Sequence, residues 1–146
     1  MILAVIFLAA QFFRPNRMNP PIVDADTLEA STQVPDDVKA IITRSCADCH
    51  SNTTRYPWYS NISPGSWFMA NHVADGRREM NFSEWNTYSA RKKGKKLEEI
   101  CEQLEGGKMP LPSYLWLHWD AKLSPDDSKT LCNWATSERQ KLGAVQ

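Results

Sequence analysis

Several things are scarce in this sequence. No stretch alternates apolar and polar residues as a half-buried strand would, so a sheet protein is not expected and the chain reads as all-α. An excess of charge of either sign is missing too: 17 Lys and Arg stand against 17 Asp and Glu. With no basic excess, the overall field gives no case for a nucleic-acid partner. Long hydrophobic runs are lacking. Residues 1–13 are apolar apart from Gln11. As a helix they would measure roughly 20 Å, short of the roughly 30 Å hydrocarbon core. They resemble a signal h-region or a clipped signal anchor. No basic region precedes them, and Arg14 and Arg17 follow, which is the unusual flank for an outward-facing segment. No cysteine lies near them, so a lipid anchor on cysteine is not expected.

What is present reads as helices and loops around one small core. Residues 14–33 look like a polar, proline-bearing linker. A first helix is expected from Pro35 to His50, with proline at its first turn, Asp36 and Asp37 at its positive end, and Val38, Ile41, Ile42 and Cys49 near one face. A loop from Ser51 to Ile62 follows. A second helix should start at Ser63-Pro64 and stop at Gly76. A further helical stretch opens at Asn81-Phe82-Ser83 and breaks near Gly94. The next helix spans about Lys96 to Glu105, with Leu97, Ile100 and Leu104 on one face and Gly106-Gly107 as its stop. A last helix starts at Ser124-Pro125 and buries Leu131, Trp134, Ala135 and Leu142.

The chemistry is concentrated in Cys46-Ala47-Asp48-Cys49-His50. The spacing is CxxCH, the signature of covalent haem attachment. Two thiols three residues apart can add to the two vinyl groups of one haem, and the adjacent histidine supplies an axial nitrogen. A zinc tetrahedron would want a second close ligand pair, and Cys101 and Cys132 stand alone. A thioredoxin-like pair would follow a buried strand, and the upstream stretch reads as helix. The second ring nitrogen of His50 should donate to a backbone carbonyl in the following loop, supplied or shaped by Pro57 or Pro64.

A sixth iron ligand is sought next. Met109 lies in Lys108-Met109-Pro110-Leu111-Pro112, a segment stiffened by two prolines just past a helix end. Its thioether is a soft neutral donor that raises haem potential. His72 is the rival ligand, on the same helix face as Met69. Met80 and His118 sit among aromatics and read as packing residues. Six tryptophans suit a pocket that encloses a porphyrin as well as an aromatic core, and Trp58 and Trp67 are the candidates for the former role. Arg55, Arg77 and Arg78 are candidates to pair with haem propionates. The run Arg91 to Lys96, with five basic residues in six, reads as a solvated helix break, with a docking patch as the alternative.

Beyond CxxCH, the chain carries Ser51-Asn52-Thr53, Tyr56-Pro57-Trp58-Tyr59, Ser66-Trp67, His72-Val73, Gly76-Arg77, Asn81-Phe82-Ser83-Glu84-Trp85 and Met109-Pro110-Leu111-Pro112-Ser113-Tyr114. The order of these segments is similar to single-haem cytochrome c domains. More closely, it resembles the bacterial haem-binding domain proteins, over about Val34 to Leu142. The resemblance implies a membrane-anchored or exported protein with one covalent haem c. The expected organisation is a signal or membrane anchor at 1–13, a linker at 14–33, and a cytochrome c-like haem domain at 34–146. Cys101 and Cys132 depart from the family pattern. They read as a disulfide permitted by an oxidising compartment or as two buried thiols. The expected role is an exported electron carrier, not an enzyme, in the periplasm or on the outer face of the cytoplasmic membrane. A redox protein would be its partner, and the N-terminal segment would touch the membrane. The alternative is a haem sensor or small peroxidase-like enzyme with an open sixth position. No distal acid–base group beside His72 favours it.

Overall fold

Short-range chemistry sets the helix starts. Asp37 accepts a hydrogen bond from the Val38 amide at 2.8 Å at the start of α3 (Asp36–Ser45). Ser124 and Asp127 form a reciprocal capping box at the start of the last helix. The Ser124 hydroxyl accepts from the Asp127 amide at 3.0 Å, and the Asp127 carboxylate accepts from the Ser124 amide at 2.9 Å. The computed structural model describes residues 1–143. The remaining helices are α1 (Ile2–Ala10), α2 (Leu28–Ser31), α4 (Ala47–His50), α5 (Gly65–Glu79), α6 (Ala90–Glu105), α7 (Pro112–Leu115) and α8 (Pro125–Gly143). Short 3₁₀ turns at Asp24–Asp26, Trp58–Asn61, Phe82–Thr87 and Trp119–Ala121 connect them. Among the described residues no strand forms, so the all-α reading holds.

The core is built from the stripes of α3, α6 and α8. Val38, Ile41, Ile42, Leu97, Leu131, Trp134 and Ala135 are buried together with Phe82 and Trp85. The α6 and α8 helices pack closely and are joined by a Cys101–Cys132 disulfide, with Cα atoms 5.1 Å apart. Arg44 on α3 donates to Asp127 of α8 at 3.0 Å, tying the helix before CxxCH to the last helix.

Four sequence expectations change here. The first helix breaks at Cys46, whose backbone (φ −126°, ψ −39°) separates α3 from α4. Helix α5 does not stop at Gly76 but runs on to Glu79, because Gly76 marks a crossing point, as described below. Helix α6 passes straight through Gly94. A Cβ there would meet nothing beyond its own helix within 4 Å, and the flanking lysines and glutamates are good helix formers that offset the roughly 1 kcal/mol glycine penalty. Finally, part of the stretch read as a linker is built into the domain: Leu28 is a core residue, and Pro21 accepts from the Asn52 side chain.

The basic run of α6 is mostly engaged locally. Lys92 lies 3.6 Å over the Tyr88 ring, Lys93 donates to Asn86 at 2.9 Å, and Lys96 pairs with Glu99 at 2.6 Å. It is a solvated, self-paired helix face with no break.

Among the described residues no helix is long and apolar enough to cross a membrane. Helix α1 is apolar and exposed. It is held to the domain at its base. The Gln11 side chain accepts from the Ser63 amide at 2.9 Å and donates to the Ser63 carbonyl at 3.1 Å. Arg17 donates to the Ser60 carbonyl at 2.8 Å.

Candidate functional site

Cys46 ends α3, and α4 carries Cys49 and His50 one turn on, so the five-residue segment bends around a single cavity. Both thiols and the His50 ring line this space of about 310 Å³. His72, Gly76, Met109, Leu111 and Tyr114 complete its walls. A second space of about 440 Å³ shares Cys49, His72, Leu111 and Tyr114 with the first and extends to Met69, Phe68 and Trp116. The two are adjacent, mostly apolar and each in the size range of cofactor sites, and together form the cleft described below.

Glycine 76 lets this cleft exist. A Cβ on Gly76 would fall within 2.5 Å of the Cys49 carbonyl oxygen. Only glycine allows α5 to cross α4 at that distance. The crossing brings His72, one turn earlier on α5, to the cavity that Cys49 lines.

The His50 Nδ1 lies 3.0 Å from the Met80 carbonyl oxygen, and as the protonated nitrogen it donates there. A backbone carbonyl was expected as partner, but from the loop near Pro57 or Pro64. It comes instead from the end of α5, because that helix folds back over α4. This bond fixes the tautomer and leaves Nε2 as the ring's free lone pair. Burial, the largest influence, holds the His50 pKa below its ordinary value and favours the neutral ring, the form that could ligate a metal. Burial likewise pushes the Cys46 thiol up to about 12 and Cys49 up to about 11, with a neighbouring negative charge adding to each. Both are thiols, not thiolates, at neutral pH. That disfavours a redox-active pair, which needs a lowered pKa. Among the described residues no group of three or more His, Cys, Asp or Glu side chains is placed to hold a metal ion, so the zinc reading lacks its tetrahedron.

Asp48, inside CxxCH, is the unforeseen residue. It is 6 % exposed and accepts from the Arg55 amide at 3.0 Å, from Arg55 Nε and Nη2 at 3.1 Å each, and from the Tyr114 hydroxyl at 2.8 Å. Burial alone would raise its pKa, but the Arg55 and Tyr114 hydrogen bonds outweigh it and hold the carboxyl below its ordinary value. Burial and the Asp48 carboxylate together push the Tyr114 pKa up, so that hydroxyl stays a donor. Through Tyr114, Asp48 ties α7, which follows Met109, to α4. The only hint in the sequence is a carboxylate seven residues before an arginine, too generic to single out.

Each candidate arginine has partners within the protein. Arg55 is committed to Asp48. Arg77 donates to the Ser51 carbonyl and the Thr54 hydroxyl, both at 2.8 Å, and to Asn19 at 2.7 Å. Arg78 pairs with Asp75 at 2.8 Å. Arg55 and Arg77 organise the loop after CxxCH, and the Arg78 pair lies along α5 with Asp75, which lines the first cavity. Trp58 and Trp67 do not line the cleft. Both are exposed, and the Trp67 indole donates to the Phe13 carbonyl. The aromatic wall comes instead from Tyr114, Phe68 and Trp116. Met109 and His72 both line the first cavity. Met80 is a core residue, whereas His118, read as a packing residue, stacks on Tyr114 at 3.9 Å, pairs with the Tyr59 hydroxyl at 2.9 Å and lines the second space.

The sequence matches the model of the haem-binding domain family over residues 5–137, and the chain belongs to that family. No curated protein and no solved structure shows a significant match. The residues present fit the group the family binds. An apolar cleft offers two neutral thiols, an imidazole with one fixed and one free nitrogen, and two further candidate ligands.

Proposed function

We propose that this protein is an exported, single-haem c-type cytochrome that carries electrons between redox partners. The reading rests on one observation: both CxxCH thiols and the His50 ring line the same apolar cavity, with Nδ1 tied to the Met80 carbonyl. Cys46 and Cys49 would hold the vinyl edges as thioethers, each S–H adding across a C=C bond with no net redox change. His50 Nε2 would be the proximal ligand and Met109 the sixth, with His72 as the alternative. When bound, haem supplies an iron centre that changes oxidation state by one electron. The packing of α3, just before the haem motif, against α8 supports a cytochrome c-like arrangement. Gly76 and the Asp48–Tyr114 bond keep the cleft walls in place. In this reading the disulfide between α6 and α8 belongs to an oxidising compartment, the periplasm or the outer face of the cytoplasmic membrane, and residues 1–13 touch the membrane.

Absorption spectra of the ferrous protein with and without carbon monoxide test the carrier role. A carrier with a protein ligand on both sides of the iron gives a low-spin spectrum that carbon monoxide barely changes. Ready carbon monoxide binding by the native protein would replace this reading with a sensor or peroxidase-like enzyme.

A further inference from the structure

We infer that the folded domain itself lies on an anionic phospholipid surface, through an aromatic face beside the base of α1. The observations are composition, exposure and connectivity. Arg14 and Arg17 are the only Asp, Glu, Lys or Arg residues within 1–23, 56–74 and 109–119, although such residues make up 23 % of the chain. The structure joins these three segments. Gln11 is bonded to Ser63, the Trp67 indole donates to Phe13, and the Tyr59 hydroxyl meets His118 at 2.9 Å. Trp58 packs edge-on to Tyr59. On this connected surface Trp58 is 75 % exposed, Trp116 82 % and Trp119 81 %, and Ile62, Phe68 and Leu117 are also exposed.

A soluble domain rarely shows so many large exposed apolar side chains on connected segments without a use for them. Tryptophan suits the membrane interface, where its ring is half in hydrocarbon and its N–H meets headgroups. The face is continuous with α1, whose side chains are apolar and exposed, so both would meet one bilayer surface. Apart from Asp120, exposed beside Trp119 at its edge, the charges it carries are the cationic Arg14 and Arg17 at the base of α1. That matches anionic lipid and gives no complement to a basic protein partner. Phe68 and Trp116 line the cleft as well as this surface, so the cleft would open toward the lipid.

The inference rests on the proposed membrane contact of residues 1–13. Hydrogen exchange read by mass spectrometry on the full-length holoprotein separates the two. The probe is vesicles of phosphatidylglycerol with phosphatidylcholine, and haem content is checked by absorbance in the same sample. The expected result is slowed exchange, on the order of tenfold, in peptides from 56–68 and 111–121 as well as 1–13, with 125–142 unchanged. Trp58→Ser combined with Trp119→Ser, two exposed positions outside the cleft lining, should abolish the protection at 56–68 and 111–121 and leave that at 1–13. Protection confined to 1–13 overturns this inference and leaves the tether reading standing. Protection nowhere overturns both. Protection of 56–68 and 111–121 that grows with protein concentration without vesicles assigns the face to a second copy of the chain and also overturns it.

Discussion

Asp48 is a carboxylate buried beside the two thiols, and its four hydrogen bonds have consequences that can be measured. Its folded pKa is below the ordinary value, so the unfolded chain takes up this proton at a higher pH than the folded one. The stabilisation is therefore fully present above the unfolded carboxyl pKa of about 3.9 and disappears as pH falls through the lower folded value. Asp48→Asn should lower stability by about 1–3 kcal/mol at neutral pH and flatten the acid limb of the unfolding curve, followed by circular dichroism. An unchanged acid limb would show that the Arg55 and Tyr114 contacts contribute little. Met109 and His72 make the second residue-scale case, because the structure places both at one cavity. Met109→Ala should lower the haem potential and open the iron to carbon monoxide, whereas His72→Ala should leave the spectrum nearly unchanged. The opposite pattern would mean a bis-histidine haem.

At the scale of elements, one glycine governs the site. Read as a sequence, Gly76 resembles a helix stop, because glycine lowers helix propensity and often follows a last turn. In the structure it is the contact point of α5 with α4. Sequence alone carries no record of what approaches a missing Cβ. Gly76→Ala should force the two helices apart, cost about 1–3 kcal/mol, and reduce haem incorporation during expression. Thermal melting and the ratio of haem to protein absorbance would check this, and wild-type values for both would refute the crossing argument. The same limit explains other differences. The apolar stripes of α3, α6 and α8 were legible because a period of 3.6 residues is local information. The Met80 carbonyl as partner of His50 was not, because it depends on where α5 ends. The break at Cys46 was hidden for a related reason, whereas the continuity through Gly94 was local after all: the helix formers on both sides outweigh one glycine.

For the molecule as a whole, the all-α class followed from periodicity and the clustering of Cys46, Cys49 and His50 from their spacing, and Met109 and His72, read as alternative sixth ligands, both line that cavity. The placement of the arginines and tryptophans did not follow from the sequence. Arg55 and Arg77 have strong internal acceptors, and a cation satisfies a buried carboxylate or carbonyl before it reaches outward. Trp58 and Trp67 looked like cleft walls by composition, yet they lie on the surface that joins α1 to the domain. A family match over residues 5–137 gives haem binding, and the cleft gives residues suited to hold the group. The mode of attachment is the central claim. Intact mass spectrometry of the denatured protein, after extraction with acidified acetone, tests it most directly. The account predicts a mass equal to the processed polypeptide plus one haem, reduced to the polypeptide alone in the Cys46→Ala, Cys49→Ala double variant. A native protein that loses all its haem to the solvent would contradict covalent attachment through this pair.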